Sequence, residues 1–330
     1  MPLFIADAAD LVDKSIQKIA LKGSTKFQTN YYEEFMNVER GITDYYMKDS
    51  SISGLGYAGR VVENAIVPAE SPILGYDKTY TQVQFGKVLP VTKMMWFFGI
   101  KKRDLTKVVK ELYKACSDLR ELRCAERLDN AIVDSYTAND DGGNYTVATV
   151  GGDSVCLISN SHTREDGGAN WNNVVYDGTT YNMDFGTDAI KAVDRTTSLL
   201  RGPKGKPMNV NIDTYMFAKG SSSYFKALEI KGAIERGYKS ESTDRDGSGI
   251  KTFNVSKNPW RMSNTDYYFG IDSSMKDDTY GLQYKESQGI KLEGPNIVFL
   301  TGEIQYKSTL MFDIGHNDSR NMVGSTSLNA

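Results

Sequence analysis

The chain is short of the side chains that most chemistry needs. Its 330 residues hold two histidines and three cysteines. Cys116, Cys124 and Cys156 are an odd, scattered set. That excludes a disulfide framework or a zinc cluster and fits reduced thiols in a cytoplasmic setting. The sequons at Asn144, Asn254 and Asn317 then carry no meaning. His162 and His316 stand alone, with no Cys or His at ligand spacing, and a triad would have to gather its members from afar. No run approaches the roughly 18–20 apolar residues of a membrane span. Met1–Asp10 has neither the basic start nor the continuous apolar core of a signal peptide. Neither sign of charge dominates, with 39 Lys and Arg against 42 Asp and Glu, so the global footprint of a nucleic-acid binder is missing. There is no internal repeat and no low-complexity tract.

What is present is aromatic and strand-forming. Twenty tyrosines and thirteen phenylalanines accompany only three tryptophans, a bias that fits sheets and half-wet surfaces. The length suggests about two domains, and a hydrophobic fraction of 40 % is enough for a sizeable core.

The longest stretch free of glycine and proline lies between Gly99 and Gly142. Leu105, Val108, Val109, Leu112, Cys116, Leu119, Leu122, Ala125, Leu128 and Ile132 recur there at three- and four-residue steps, one apolar face of a helix. With Asp104 as N-cap, the spacing predicts a helix over 104–139, roughly 50 Å long. Such a helix outruns a compact core and acts as a spine. Its first part is basic: Lys101–Arg127 carries nine Lys and Arg against five Asp and Glu. Lys107/Glu111 and Lys114/Asp118 are i,i+4 pairs of a solvated face, and the residual charge could meet a polyanion.

Before the spine, a weak helical period runs over Asp7–Lys22. An aromatic arm with Tyr31, Tyr32, Phe35, Tyr45 and Tyr46 follows, without a period of its own. Thr79–Phe85 and Lys87–Phe98 alternate as strands, and Gly86-Lys87 between them suits a hairpin. After the spine come a turn at Asp140–Asn144, strands at Thr146–Val150 and Val155–Ile158, and a Gly/Asn/Asp-rich loop over 159–182. Further helices are expected at Phe185–Leu200 and Ser222–Ile230, and a polar loop at 239–250. Strands are expected at Met208–Ile212, Tyr267–Ile271, Leu282–Tyr284, Ile297–Leu300 and Glu303–Phe312.

Three motifs fail on context. Gly54–Gly59 matches G-x-G-x-x-G, but a polar stretch precedes it and prolines follow, where a dinucleotide site needs a buried strand and a helix. Gly202-Pro-Lys-Gly-Lys-Pro207 lacks phosphate-loop spacing, and Pro207 stands where a magnesium-binding hydroxyl belongs; it reads as a helix-ending turn. Asp244-Arg-Asp246-Gly247 opens like a calcium loop, but its twelfth position is Val255 rather than a bidentate Glu. His162, just past an apolar strand, reads as a hydrogen-bonded loop histidine before it reads as a general base.

The order of the parts is itself informative. An aromatic arm, a long β-excursion, a spine helix, a mixed domain and a closing strand succeed one another. In this the chain resembles the major capsid proteins of tailed bacteriophages, the Hong Kong 97-type fold. Val155-Cys-Leu-Ile-Ser-Asn-Ser-His162 is similar to the segment after that family's spine helix. Pro207-Met-Asn-Val-Asn-Ile-Asp213 resembles the strand after its next helix, and Lys307–His316 with Asn321–Ser325 its closing strand and turn.

The resemblance implies an α+β fold. An N-terminal arm would cover 1–55 and an extended β-hairpin loop 56–101. A peripheral domain would span 102–206 and 296–330, and an axial domain 207–295. It implies a non-enzymatic virion subunit, assembled in the host cytoplasm into homo-hexamers and homo-pentamers of an icosahedral shell around double-stranded DNA. Portal, scaffolding and decoration proteins would be further partners, with no cofactor, metal or membrane. The short helix at the start would leave no room for a large scaffolding segment. By analogy, Tyr31, Tyr32, Tyr45, Tyr76, Lys78, Tyr80, Phe85 and Lys87 would touch neighbouring subunits. Lys107, Lys110, Lys114, Arg120, Arg123 and Arg127 would face DNA. Some relatives cross-link a loop lysine to a neighbour's asparagine; Lys78 and Lys87, with Asn317 and Asn321, lie in the matching regions without matching the family's pattern. Deleting Tyr76–Pro90 would then leave a folded core that closes no shell. Two other readings stand beside this one. The first is an encapsulin-like nanocompartment shell. The second is a carbohydrate-binding protein or hydrolase using the 159–182 loop with His162, Asp166 and Trp171.

Overall fold

The computed structural model describes residues 30–52, 55, 57–61, 63, 66–67, 69–72, 74–92, 94, 102–235, 251–256, 262–276 and 280–325. The helix expected over Asp7–Lys22, the end of the strand expected over Lys87–Phe98 and the whole 239–250 loop lie outside them.

The spine is a single helix, α1 (Lys102–Asp129). Its 28 residues make a rod of about 42 Å, shorter than the spacing predicted. Val109, Leu112, Cys116, Cys124, Ala125 and Leu128 are buried along it. The helix stops at Asp129 rather than Asn139 because the chain has better partners beyond. The Asp129 carboxylate accepts hydrogen bonds from the Ser263 and Asn264 backbone N–H groups and from the Ser263 hydroxyl. Residues Ser135–Asp140 are β5, paired with β6 (Gly143–Ala148) across a tight turn at Asp141-Gly142. Gly143, at a φ of 114°, takes a backbone conformation only glycine tolerates well. The apolar period over Leu105–Ile132 says nothing against this, since Tyr136 and Thr137 favour the strand.

Beneath α1 lies a four-stranded sheet. Its strands, in spatial order, are β1 (Asn37–Arg40), β10 (Leu282–Ile297), β11 (Ile304–His316) and β4 (Val83–Val91). Strands β10 and β11 form one long antiparallel hairpin. Strand β4 pairs antiparallel with β11, and β1 runs parallel to β10. Tyr32, Phe35, Met36, Cys116, Leu128, Tyr284, Leu310 and Phe312 pack into one core between helix and sheet.

A second sheet holds, in spatial order, β12 (Met322–Ser325), β9 (Tyr268–Ile271), β7 (Thr214–Phe217) and β8 (Asn254–Val255). Helix α2 (Thr187–Leu199) packs on it through Ala189, Ile190 and Val193. Phe185 stands edge-on to Tyr215, Phe217 and Tyr268, with ring centroids 5.4, 4.7 and 5.1 Å away. Helix α3 (Ser222–Glu235) follows β7.

Five further expectations need correction. Residues 79–98 are not a self-paired hairpin. The break falls at Gln82, and β3 (Leu74–Thr81) pairs with β2 (Tyr46–Ile52) while β4 joins the main sheet. Gly86 sits inside β4 opposite Thr309; a Cβ there would come within 3.1 Å of Ser308 O, so it serves a close approach rather than a turn. Met208–Ile212 belongs to no strand, held instead by Met208 N–H donating to Leu200 O and Asn211 N–H to the Asp272 carboxylate, and the strand begins at Thr214. Val155–Ile158 belongs to no strand and is held instead by Ile158 N–H donating to Ala131 O at 2.9 Å. Ile297–Leu300 is mostly the turn between β10 and β11, and a boundary at 295 would cut that hairpin. Strand β12, expected with the peripheral part, belongs to the second sheet.

Candidate assembly surfaces

Strands β2 and β3 form a two-stranded ribbon. Alternate residues of β3 turn the same way, toward the body. The Tyr76 hydroxyl donates to Thr163 O. Lys78 Nζ donates to Val150 O at 2.6 Å. Tyr80 is fully buried against Gly315, where an added Cβ would meet its ring at 2.9 Å. Burial, with help from Arg127, holds the Lys78 ammonium below the usual lysine range. The ribbon base is therefore fixed to its own subunit.

Of the residues expected at a neighbour, Tyr32, Tyr76 and Tyr80 are buried in their own chain. Tyr32 lies 4.7 Å from the Tyr284 ring with the Arg120 guanidinium 5.0 Å above it, and burial pushes its hydroxyl up to about 12. Tyr31, Lys78 and Phe85 are half-buried. Tyr31 N–H donates to Glu121 at 3.2 Å, and Phe85 stacks on Phe312. Tyr45 and Lys87 are exposed, and Lys87 pairs with Asp141 at 2.6 Å. Lys87 borders a half-open cavity of ≈ 590 Å³ whose lining includes Phe85, Leu119, Leu122 and Tyr145.

The basic stripe on α1 divides in the same way. Lys107 and Lys114 are exposed and Lys110 is half-buried. Arg120, Arg123 and Arg127 are buried and engaged, which removes them from any DNA-facing surface. Arg120 meets Glu286 at 3.6 Å. Arg123 pairs with Glu126 and Asp140 at 2.5 and 3.2 Å. Arg127 donates to Ala148 O at 2.5 Å and to Ile314 O. Their periodicity matched the lysines; burial, which charge alone does not reveal, separates them.

The loop with the rival claim to an active site is a structural knot. His162 is 0 % exposed, with Nδ1 at 2.6 Å from Asp153 and Nε2 at 3.1 Å from Asn173 Oδ1. Trp171 stacks on its ring at 4.1 Å. Asp166 is tied to Arg164. Asn317 and Asn321 are buried too, and Asn317 Nδ2 donates to Tyr76 O at 3.1 Å, so neither amide is presented to a neighbour's lysine. Among the described residues no group of three or more His, Cys, Asp or Glu is arranged to hold a metal, and none of the helices is long and apolar enough to cross a membrane.

Three features escaped the sequence. Arg320 is fully buried, paired with Glu165 at 2.6 Å and with Asp318 at 2.5 Å, its guanidinium 5.0 Å from the Trp171 ring. At the apex of the β10–β11 hairpin, Phe299 and Leu300 are 97 % and 92 % exposed. Leu55, Tyr57, Ile66, Val67 and Leu74, in and beside the loop between β2 and β3, are exposed as well, Ile66 at 95 %. The only advance signal was the hydrophobic Ile297–Leu300 run ahead of Gly302, which reads equally as a strand.

No family model and no curated protein matches the sequence. Solved structures do match the shape. The capsid structure of cyanophage P-SCSP1u aligns with a TM-score of 0.51 at 10 % identity, over 89 % of this chain and 86 % of that one. A protein of Mycobacterium phage Patience aligns at 0.49 and 10 % identity over 96 % and 86 % of the two chains. The virus-like particle from Pyrococcus furiosus aligns at 0.45 and 11 % identity over 95 % and 98 %. With the cyanophage chain, the likeness in fold extends over most of both chains. The α+β, Hong Kong 97-type fold expected from the order of the parts is the fold observed.

Proposed function

We propose that this chain is a shell subunit of the tailed-phage major capsid type, which assembles with copies of itself into hexamers and pentamers of a closed particle around double-stranded DNA. The observation that carries the reading is the placement of bare apolar side chains. Ile66, Val67, Phe299 and Leu300 stand on projections, the ribbon loop and the hairpin apex, instead of in a pocket. A solitary soluble protein does not gather such groups at its extremities. Copies related by symmetry cover them repeatedly. The fold shared with the cyanophage capsid chain supports the same conclusion.

Mechanistically, the subunit offers a rigid body and projecting arms. Arg120 and Arg127 bind α1 to the sheet beneath it, Arg123 and Arg127 bind it to the β5–β6 hairpin, and Tyr76, Lys78 and Tyr80 bind the ribbon base. We assign the peripheral body to α1 with the β1-β10-β11-β4 sheet, and the axial body to α2 and α3 with the β12-β9-β7-β8 sheet. The loop between β2 and β3 and the hairpin apex make the inter-subunit contacts. Of the six α1 cations expected at DNA, Lys107, Lys110 and Lys114 are the ones that lie toward the surface, and we assign the contact with packaged DNA to them. Assembly in the host cytoplasm, with portal and scaffolding partners, belongs to the same reading.

Expression of the chain alone, followed by negative-stain electron microscopy and light scattering, tests it. Closed shells, tubes or hexameric rings are expected. A monomer at every salt and protein concentration would overturn self-assembly. Nucleic acid inside purified particles is expected from the DNA reading, and a protein cargo would move the assignment to a nanocompartment.

A further inference from the structure

The Gly202–Pro207 turn, unfit for phosphate, is occupied by protein. Gly202 N–H donates to Lys206 O at 2.7 Å and Gly205 N–H to Gly202 O at 2.9 Å, with Gly205 at a φ of 73°. The turn brings two lysines to the loop between β2 and β3. Lys204 Nζ pairs with the Glu70 carboxylate and donates to Ser71 O at 3.2 Å. Lys206 Nζ donates to Leu55 O at 2.6 Å and stands 4.3 Å from the Tyr57 ring centroid. Two ammonium groups thus grip both limbs of the loop, Leu55 and Tyr57 on the way out and Glu70 and Ser71 on the return.

The grip is polar and half-buried, with the Lys204 side chain 13 % exposed. Single ion pairs and cation–π contacts near a surface are individually weak, so it can be exchanged for an equivalent one. It also leaves the loop's apolar groups uncovered: Tyr57, Ile66 and Val67 remain exposed. The chain between Ile52 and Leu74 can reach roughly 30 Å out and back, far enough to meet a neighbouring subunit.

We propose that the Lys204/Lys206 turn is the docking surface for this loop in the assembled particle, and that the grip on the chain's own loop is exchanged for the same grip on the 55–71 loop of a second copy. The proposal rests on the shell reading. An exchange of identical segments restores every polar interaction it gives up. The net gain then comes from apolar loop residues that only the interface between copies buries. In the free subunit the grip parks the loop; in the particle it sets the loop's register on the neighbour.

A charge swap tests this. Lys204→Glu and Glu70→Lys each place like charges at the docking surface, and each alone is expected to lower the yield of assembled particles by about tenfold or more. Mixing the two single-variant chains is expected to restore assembly of even-membered rings and of tubes built from them, where the two chains alternate and each loop meets a complementary turn on its neighbour while neither chain holds a complementary pair of its own. Failure of the mixture alongside assembly of the double variant would mean that the grip stays within one chain, and would overturn the exchange. So would single variants that assemble like the wild type. Zero-length carbodiimide coupling of wild-type particles, with the Lys204–Glu70 link located by mass spectrometry, reads the same point directly: a link between two chains supports the exchange, and a link found only within single chains overturns it. Circular dichroism melts separate misfolded variants from folded ones that fail to assemble. A wild-type chain that forms no particle fails the shell reading itself, a result distinct from particles whose Lys204–Glu70 links stay within single chains.

Discussion

Arg320 shows how much a single side chain can carry in this subunit. Its guanidinium is fully buried and is neutralised by Glu165 and Asp318. Burial raises the Asp318 carboxyl above the usual range even beside this cation. Arg320→Ala strands both acids without a partner, and a loss of about 3–5 kcal/mol in urea unfolding is expected. His316 makes the opposite prediction about pH. It is buried, its Nε2 has no hydrogen-bond partner, and burial, followed by Lys78, His162 and Arg127, pushes it well below the ordinary imidazole range. The folded state therefore holds His316 neutral while the unfolded chain takes up a proton near about pH 6.5. Below that pH the unfolded chain binds more protons, so stability falls as pH falls. Urea melts between pH 7 and 5 should show the decline, and His316→Gln should flatten it.

Among the elements, the ribbon divides at its root. Tyr76 and Tyr80 of β3 are core residues, and β4 is an edge strand of the main sheet. Deleting Tyr76–Pro90 would therefore remove core side chains and most of a paired strand, and an insoluble chain is now the expected product. Replacing 53–73 with a short Gly/Ser linker is the cleaner cut. It should leave the thermal melt unchanged and give a folded protein that forms no particle by light scattering. The spine helix was legible because its apolar period was long and uninterrupted. Its end was not, because Asp129 is held by Ser263 and Asn264, 134 and 135 positions away, and no local pattern records that. The pairing of β3 with β2 was hidden for a related reason. Alternation reveals a strand but not its partner, and Gly86 is as much a close-approach residue as a turn residue.

At the scale of the whole molecule, the order of parts was the most legible signal, and it led to the observed fold. Individual side-chain partners were the least legible. The nine cations from Lys101 to Arg127 looked uniform, yet three of them build the interior. That separation makes a prediction about the proposed contact with DNA. Changing Lys107, Lys110 and Lys114 to Gln should leave assembly intact and make nucleic-acid binding less salt-sensitive. The log–log slope should shrink by about 0.9 for each phosphate that the lysines no longer neutralise. Changing Arg120, Arg123 and Arg127 should instead depress the unfolding midpoint before any effect on DNA can be read.

Trp171 lies between the His162 ring, 4.1 Å away, and the Arg320 guanidinium, 5.0 Å away. Arg320 also stands 5.6 Å from the ring of Tyr76 on the ribbon. The indole therefore sits one residue removed from the root of the projecting arm and is shielded from water. In a chain with Trp96 and Trp260 changed to Phe, its emission is expected to gauge that root: blue while the arm is seated, shifting red when water reaches the joint. The subunit can report on its own arm in real time, without a dye attached.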